Sequence, residues 1–574
     1  MSLKDLNTSF KLPIEYDKET TTISDELISD LELVDTSGNN GLYKHVFNAK
    51  TRFGLHIANT HSKYYTPNKK YLNDSQTFMK QYCKTPLTFP IHERTDDVCE
   101  TWLDIKNDNN FIDKYQYVDV KVFTFLNRRA DFLQFLSMFN LSAPFLSLVF
   151  PIFMLIIPFF IIKFQNHNIT FENYVKFLKV VVQRNSLGNL VLNFGTVPMD
   201  KKIYLSLSAA LYVFQIYQNT LSCIKFYKNI RIIHQNLFLY RDYISSTIAN
   251  IDRHLQFSNQ IDSYQPFNKQ LLDNKNILQD FNHCLSRITP YKMSYNKLSN
   301  IGELMKCYYE LYDNKYYTNA LNFSYGFNGY LECLNGLKAN IIAKNINFCK
   351  ISAKKPTKFK KAYYAPLIKT DPVSNTYDLD KNRIITGPNA SGKTTLLKTS
   401  LFNIILSQQL GCGFYKSATI NPYHKLHCYL NIPDTSGRDS LFQAEARRCK
   451  DILDEILENN NQRHFCIFDE IYSGTNPYEA ISGAYAFLSY LTSCANHVDF
   501  MLTTHYVSLC EKLDANPAII NNHMKINNTN NVFEYLYKLE DGISTVKGGV
   551  KVFNDLDYPE TIIADMKRTI NNVL

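Results

Sequence analysis

The nine residues from Gly387 to Thr395 read Gly-Pro-Asn-Ala-Ser-Gly-Lys-Thr-Thr and follow the apolar pair Ile384–Ile385. Two glycines bracketing four residues, then Lys and Thr, at the exit of a strand make a loop whose backbone amides converge on phosphate oxygens. Gly387, Pro388, Asn389, Ala390, Ser391 and Gly392 would form the cradle, with Thr394 and Thr395 opening the helix behind it. Lys393 would set a positive charge against the β- and γ-phosphates, and the Thr394 hydroxyl suits Mg²⁺. A second segment, Phe465–Glu470, is a short apolar strand ending in two carboxylates. Asp469 would join the Mg²⁺ shell and Glu470 would polarise the attacking water. A third strand, Phe500–His505, ends in Thr503, Thr504 and His505, and the histidine would sense or stabilise the γ-phosphate. The three segments in this order imply a site that binds ATP with Mg²⁺ and hydrolyses it.

Such a site needs strands whose carboxyl ends meet, and the chain supplies them late. From about Ile341, β-rich runs alternate with helical periods, which predicts an α/β domain over 341–574. Before it, residues 225–340 carry few glycines and read as helices over Ile230–His254, Asn268–Ile288 and Leu298–Tyr312. With 574 residues and 45% of them hydrophobic, the chain supports several domains with a large core. The net charge of +9 has a local source: Asn335–Thr370 holds nine lysines and no acidic residue. That stretch reads as a solvated basic linker or as a contact for nucleic acid or anionic lipid. The 13 cysteines are scattered and odd in number, which fits free thiols rather than a disulfide framework or a zinc site. The first fifteen residues lack the apolar run of a signal peptide, so none is expected.

One region departs from the composition of a soluble enzyme. No charged residue occurs from Phe132 to Ile162, and Ala143–Ile162 is almost wholly apolar. Twenty such residues make about 30 Å of helix, the thickness of a bilayer core. Pro144, Pro151 and Pro158 interrupt it, but membrane helices tolerate proline better than soluble ones. A second uncharged stretch, Ile203–Ile224, is more polar, and Phe171–Val182 between the two has amphipathic spacing. Two spans over 143–162 and 203–224 would form a transmembrane hairpin within 132–224.

The run of motifs resembles the MutS family of DNA mismatch-repair ATPases, within the ABC class. Thr386–Lys393 is similar to the family's Thr-Gly-Pro-Asn-x-x-Gly-Lys, Asp469–Thr475 to its Asp-Glu-Ile-x-x-Gly-Thr, and Thr503–Tyr506 to its Thr-Thr-His-Tyr. Ser440–Glu445 is similar to the segment that completes a partner's site, and Gly411–Phe414, Leu536–Lys538 and Tyr558–Pro559 fall at family-like positions. Phe47–Gly54 and Tyr71–Tyr82 resemble the start of the family's core domain, making 1–131 an N-terminal core-like segment and 225–340 a lever-like region. The resemblance implies an α/β P-loop ATPase of ABC type at the C-terminus, preceded by a mostly helical core and lever region that the hairpin interrupts. It also implies a homodimer in which Ser440 reaches the partner's ATP, and DNA as the ligand. The family's mismatch-reading domain needs over a hundred residues before the core, where this chain has about forty. Phe171–Glu172, between the spans, does not supply its Phe-x-Glu wedge. Packing of the N-terminal core piece on the lever would require an even number of crossings, with the ATPase domain facing the cytosol.

The expected function is therefore that of a membrane-anchored, DNA-binding MutS-like ATPase. The alternative is a membrane-anchored ATPase switch that has lost DNA or mismatch recognition. A solute transporter is disfavoured, because one mild hairpin cannot line a pathway.

Overall fold

The computed structural model describes residues 8–34, 41–164, 170–184, 198–288, 298–430, 440–493, 497–529, 532–544, 546, 550, 553–554 and 556–572. The chain divides into two compact units, one helical and one α/β. The helical unit comprises His92–Ile248 and Lys275–Leu321, and the α/β unit comprises Met1–Ile91, Ala249–Asn274 and Asn322–Leu574.

Three helices organise the helical unit: α1 (Ala130–Phe164), α2 (Met199–Ser258) and α3 (Ile301–Asp313). The division between units falls inside α2. With neither glycine nor proline over its 60 residues, nothing in α2 interrupts the ladder of amide bonds, so the helix expected over Ile230–His254 is longer at both ends. Pro144, Pro151 and Pro158 do not break α1. Gly302 lets α3 close on α1. A Cβ there would lie 2.2 Å from the carbonyl oxygen of Ala130, and the Gly302 amide donates to Gln134 Oε1 at 2.8 Å. The core beneath is aromatic, with Phe111 stacked on Tyr312 at 4.0 Å between ring centroids and the Tyr117 hydroxyl donating to the Met305 carbonyl.

Farther along, α1 and the start of α2 lie side by side and antiparallel. The Tyr212 hydroxyl donates to the Ser147 carbonyl, and Cys223 Sγ donates to the Leu141 carbonyl at 3.4 Å. Both helices turn large apolar side chains outward: Phe135, Phe145 and Phe150 on α1, and Ile203, Leu211 and Val213 on α2. Among the described residues one stretch, Ala130–Phe150, is long and apolar enough to cross a membrane. The expected second stretch, 203–224, lies within α2 and does not meet that measure.

The α/β unit begins with a two-stranded ladder of β1 (Thr21–Thr22) and β2 (Tyr64–Tyr65). Its larger sheet has the order β13-β12-β6-β11-β10-β9. Here β6 is Asn382–Thr386, β9 Lys425–Tyr429, β10 His464–Asp469, β11 Val498–Thr503, β12 Ile519–Thr529 and β13 Val532–Asp541. All pairings are parallel except the β12–β13 hairpin. Strands covered on both faces read as continuous apolar runs, and Phe465–Phe468 and Phe500–Leu502 are fully buried. The smaller sheet has the order β5-β4-β8-β3-β7. Its strands are β3 (Asn347–Ile351), β4 (Lys358–Ala362), β5 (Asn375–Asp378), β7 (Cys412–Gly413) and β8 (Ser417–Ile420).

Helix α4 (Lys393–Leu410) is buried on nearly every side although many of its residues are polar. Each amide has its partners. Gln408 Nε2 donates to the Thr66 and Tyr423 carbonyls, and its Oε1 accepts from the Tyr423 amide. Gln409 Nε2 donates to the His61 and Tyr64 carbonyls, and its Oε1 accepts from the Tyr43 hydroxyl. Residues near the start of the chain thus close around a helix far along it, within one unit.

Candidate nucleotide-binding site

The parallel register sets β6, β11 and β10 side by side, so their carboxyl ends coincide. Thr503 is opposite both Ile385 and Asp469. Ligands of open α/β sheets bind at that edge. The Gly387–Thr395 loop leaves β6 there and enters α4. Gly392 has φ +92°, and a Cβ on it would lie 3.0 Å from the Tyr537 ring, so backbone and neighbour both demand glycine.

Lys393 is buried at the helix start. Its Nζ donates to the carbonyls of Gly387 at 2.9 Å and Pro388 at 3.3 Å, and lies 3.2 Å from His505 Nε2. His505 Nε2 is also 2.8 Å from Glu470 Oε1. One ring nitrogen cannot accept from the lysine and donate to the carboxylate at once. The ionised glutamate requires a donor, so Nε2 carries the proton and faces Glu470. That hydrogen bond, outweighing burial and aided by the Lys393 charge, holds the Glu470 carboxyl below its usual range. Burial lowers the Lys393 ammonium, offset in part by Glu470 and Asp469. Glu470 itself sits at φ +53°, a conformation a non-glycine residue keeps only where its surroundings enforce it.

Thr394 Oγ1 donates to Asp469 Oδ2 at 2.8 Å, and Thr503 Oγ1 donates to Asp469 Oδ1. A hydroxyl and a carboxylate held together in this way suit a hard, oxygen-seeking divalent cation such as Mg²⁺. Ser391 Oγ, inside the loop, is buried with no hydrogen-bond partner among the described residues, as fits a cradle shaped for an anion. A cavity of about 580 Å³ adjoins the loop, walled by residues 389–395, Glu470 and the apolar faces of Leu367, Val373, Met524 and Tyr537. Its size is that of small-molecule sites.

Of the residues expected from sequence, Gly387 to Thr395, Asp469, Glu470 and His505 come together here. Ser440 does not line this cavity. It caps helix α5 (Leu441–Glu458) through a capping box in which its Oγ accepts from the Gln443 amide and Gln443 Oε1 accepts from its own amide. Sequence reasoning missed Thr503 as the second brace on Asp469, and it missed Glu445. That carboxylate is 3% exposed and accepts from Ser473 Oγ at 2.9 Å and the Gly474 amide at 3.1 Å, fastening α5 to the turn after Glu470. Gly474 leaves room for the contact, since a Cβ there would lie 2.8 Å from Leu441 Cγ.

The family model described as MutS domain V matches residues 383–573, the segment that holds β6, the loop and both carboxylates. The C-terminal domain of this chain belongs to the MutS family. Relatives named DNA mismatch repair protein MutS include one from Desulfatibacillum aliphaticivorans, 27% identical over 192 residues. That match covers 33% of this chain and 21% of the relative. Another, from Staphylococcus aureus (strain bovine RF122 / ET3-1), is 28% identical over 221 residues, covering 35% of this chain and 25% of the relative. The chain therefore spans about a quarter or less of the MutS proteins it matches. Within residues 383–573, the phosphate loop, the Asp469–Glu470 pair and His505 meet at the sheet edge, while Ser440 does not.

Proposed function

We propose that the chain is a MutS-type ATPase: a P-loop enzyme of the ABC class that binds Mg²⁺-ATP, hydrolyses it and acts on DNA as a membrane-anchored homodimer. The observation that carries the catalytic reading is the convergence of Lys393, Thr394 and Glu470 on one cavity, with Asp469 bonded to Thr394 and His505 to Glu470 behind them. Thr394 and Asp469 would hold Mg²⁺, whose charge would offset that of the β- and γ-phosphates. On binding nucleotide, Lys393 exchanges the Gly387 and Pro388 carbonyls for phosphate oxygens, and the first amides of α4 face the same anion. Glu470, kept ionised by His505, orients the attacking water and takes its proton as the bond to the bridging oxygen breaks. The apolar wall of Val373, Met524 and Tyr537 receives the base.

Ser440 is exposed at a helix start outside the cavity, which fits donation to a partner's nucleotide. Closure of that dimer would move the lever-like helices. The antiparallel pairing of α1 with α2, with phenylalanines and leucines turned outward, supports a hairpin anchor over 143–162 and 203–224, with the α/β unit in the cytosol. DNA enters through the named activity of the relatives. An ATPase switch without DNA is the competing reading, and duplex binding by the purified chain separates the two.

The test of the catalytic reading is Mg²⁺-dependent ATP turnover by the full-length protein. It is expected in the wild type and absent in Lys393→Ala. Absence in both, with nucleotide affinity equal, would reject it. Resistance of the membrane-bound protein to salt extraction, with release by detergent, tests the anchor.

A further inference from the structure

The small sheet carries a charged face that the nucleotide site does not use. Lys350 on β3 and Lys358 on β4 are both register partners of Thr419 on β8, so the three side chains stand in one row on the same side. Adjacent strands lie about 4.8 Å apart, which sets the lysines roughly 10 Å from each other across the row. Lys360, opposite Ser417, lies on that side too, about 7 Å along the strand from Lys358. The other side of these strands is core, with Ile351, Phe359, Ala418 and Ile420 buried.

More lysines border the row. Lys354 and Lys355 are exposed in the turn between β3 and β4, Lys361 is exposed at an irregularity of β4, and Lys416 is exposed just before β8. Neutralising charge is scarce. Asp378 approaches Lys358 at 4.0 Å, but its carboxylate is held at 2.9 Å by Arg383. Among the described residues, Lys350, Lys354, Lys355, Lys360, Lys361 and Lys416 have no ion pair. A rigid array of unpaired ammonium groups is self-repelling, and a polyanion relieves it. Hydroxyls of Ser417, Thr419 and Thr376 alternate with the lysines, and such groups together are donors to phosphodiester oxygens. Bilayer-binding surfaces add large apolar side chains that enter the acyl region. None of the exposed large apolar residues described lies on β3, β4 or β8.

We propose that the Lys350–Lys358–Lys360 face of the small sheet binds the sugar-phosphate backbone of a nucleic-acid duplex, independently of its sequence. The choice of a duplex rests on the reading of the chain as a DNA-acting protein; the face itself does not.

The experiment uses the full-length protein in nanodiscs of neutral lipid and a random-sequence DNA duplex, with affinity measured across salt concentrations. The triple variant Lys350→Ala/Lys358→Ala/Lys360→Ala is expected to bind more weakly, with a log–log salt slope shallower by up to about 2.7, at about 0.9 per lost phosphate contact. Lys350→Arg/Lys358→Arg/Lys360→Arg should keep the wild-type slope. Nucleotide affinity reports folding, since none of the three lines the cavity. An unchanged slope in the alanine variant, or equal loss in the alanine and arginine variants, overturns the proposal. So does unchanged duplex binding together with lost co-flotation on phosphatidylserine vesicles, which identifies an anionic bilayer as the occupant. A wild type that turns over ATP but binds no duplex rejects this face and the DNA reading while leaving the ATPase reading intact.

Discussion

Helices α1 and α4 reverse the usual rule in opposite directions. Helix α4 buries glutamines, serines and an asparagine, while α1 turns phenylalanines to the outside. Composition alone would have exchanged their places. In α4 every buried amide named above has carbonyl or hydroxyl partners at 2.6 to 3.2 Å, so removal from water costs little and the helix is fixed in one orientation. Among the described residues of α1, no such network holds the exposed phenylalanines inward. The contrast teaches that α4 is fixed by polar pairing, while the outward phenylalanines of α1 lie uncovered among the described residues, as the proposed membrane anchor would require.

The largest effect that sharpens this contrast is at the polar edge itself. Glu470→Gln should lower ATP turnover about 10²- to 10⁴-fold while nucleotide affinity is kept, because only proton acceptance is lost. Equal loss of affinity and turnover would remove Glu470 from its assigned role.

Next is the buried ladder. Gln409→Leu leaves the Tyr43 hydroxyl and the His61 and Tyr64 carbonyls without their partner, for a loss of about 3–5 kcal/mol. Denaturant unfolding of the detergent-solubilised protein measures it. By contrast Phe145→Ser on α1, at a side chain 65% exposed, should change that stability by less than about 0.5 kcal/mol and instead weaken retention in the membrane. If the two substitutions cost the same, α1 is core and the comparison collapses.

The sequence made the chemistry legible where it is local. The loop, the Asp469–Glu470 pair and His505 each occupy consecutive positions at a strand end, and strand ends follow from apolar runs. Thr503 and Glu445 were illegible because their roles exist only across β-strand register and between α5 and a turn. The full length of α2 was obscured by the change from apolar to charged composition near Lys225, which helix formation ignores. The polar residues of α4 gave no sign of burial, since a glutamine reveals its partners only after distant carbonyls arrive.

The smallest effect concerns pH. The His505 hydrogen bond lowers the Glu470 carboxyl below its ordinary 4.5, so its ionised form contributes fully above that pH and is lost as pH falls through the lower folded value. The acid limb of turnover should therefore lie below pH 4.5, and His505→Ala should move it upward. A limb that stays in place would detach the histidine from the carboxylate.

The bond between Tyr43 and Gln409 joins residues 366 positions apart. At ribosomal rates of roughly 5–20 residues per second, the leading segment waits about 20–70 s for its mate to be made. During that interval Leu42, Tyr43, Val46 and Phe47, all destined for the interior, lack the surface of α4, where Phe402 and Gln409 meet Tyr43. Such a delay predicts that the nascent chain gains from holding chaperones, and that changing translation speed downstream of residue 50 changes its yield.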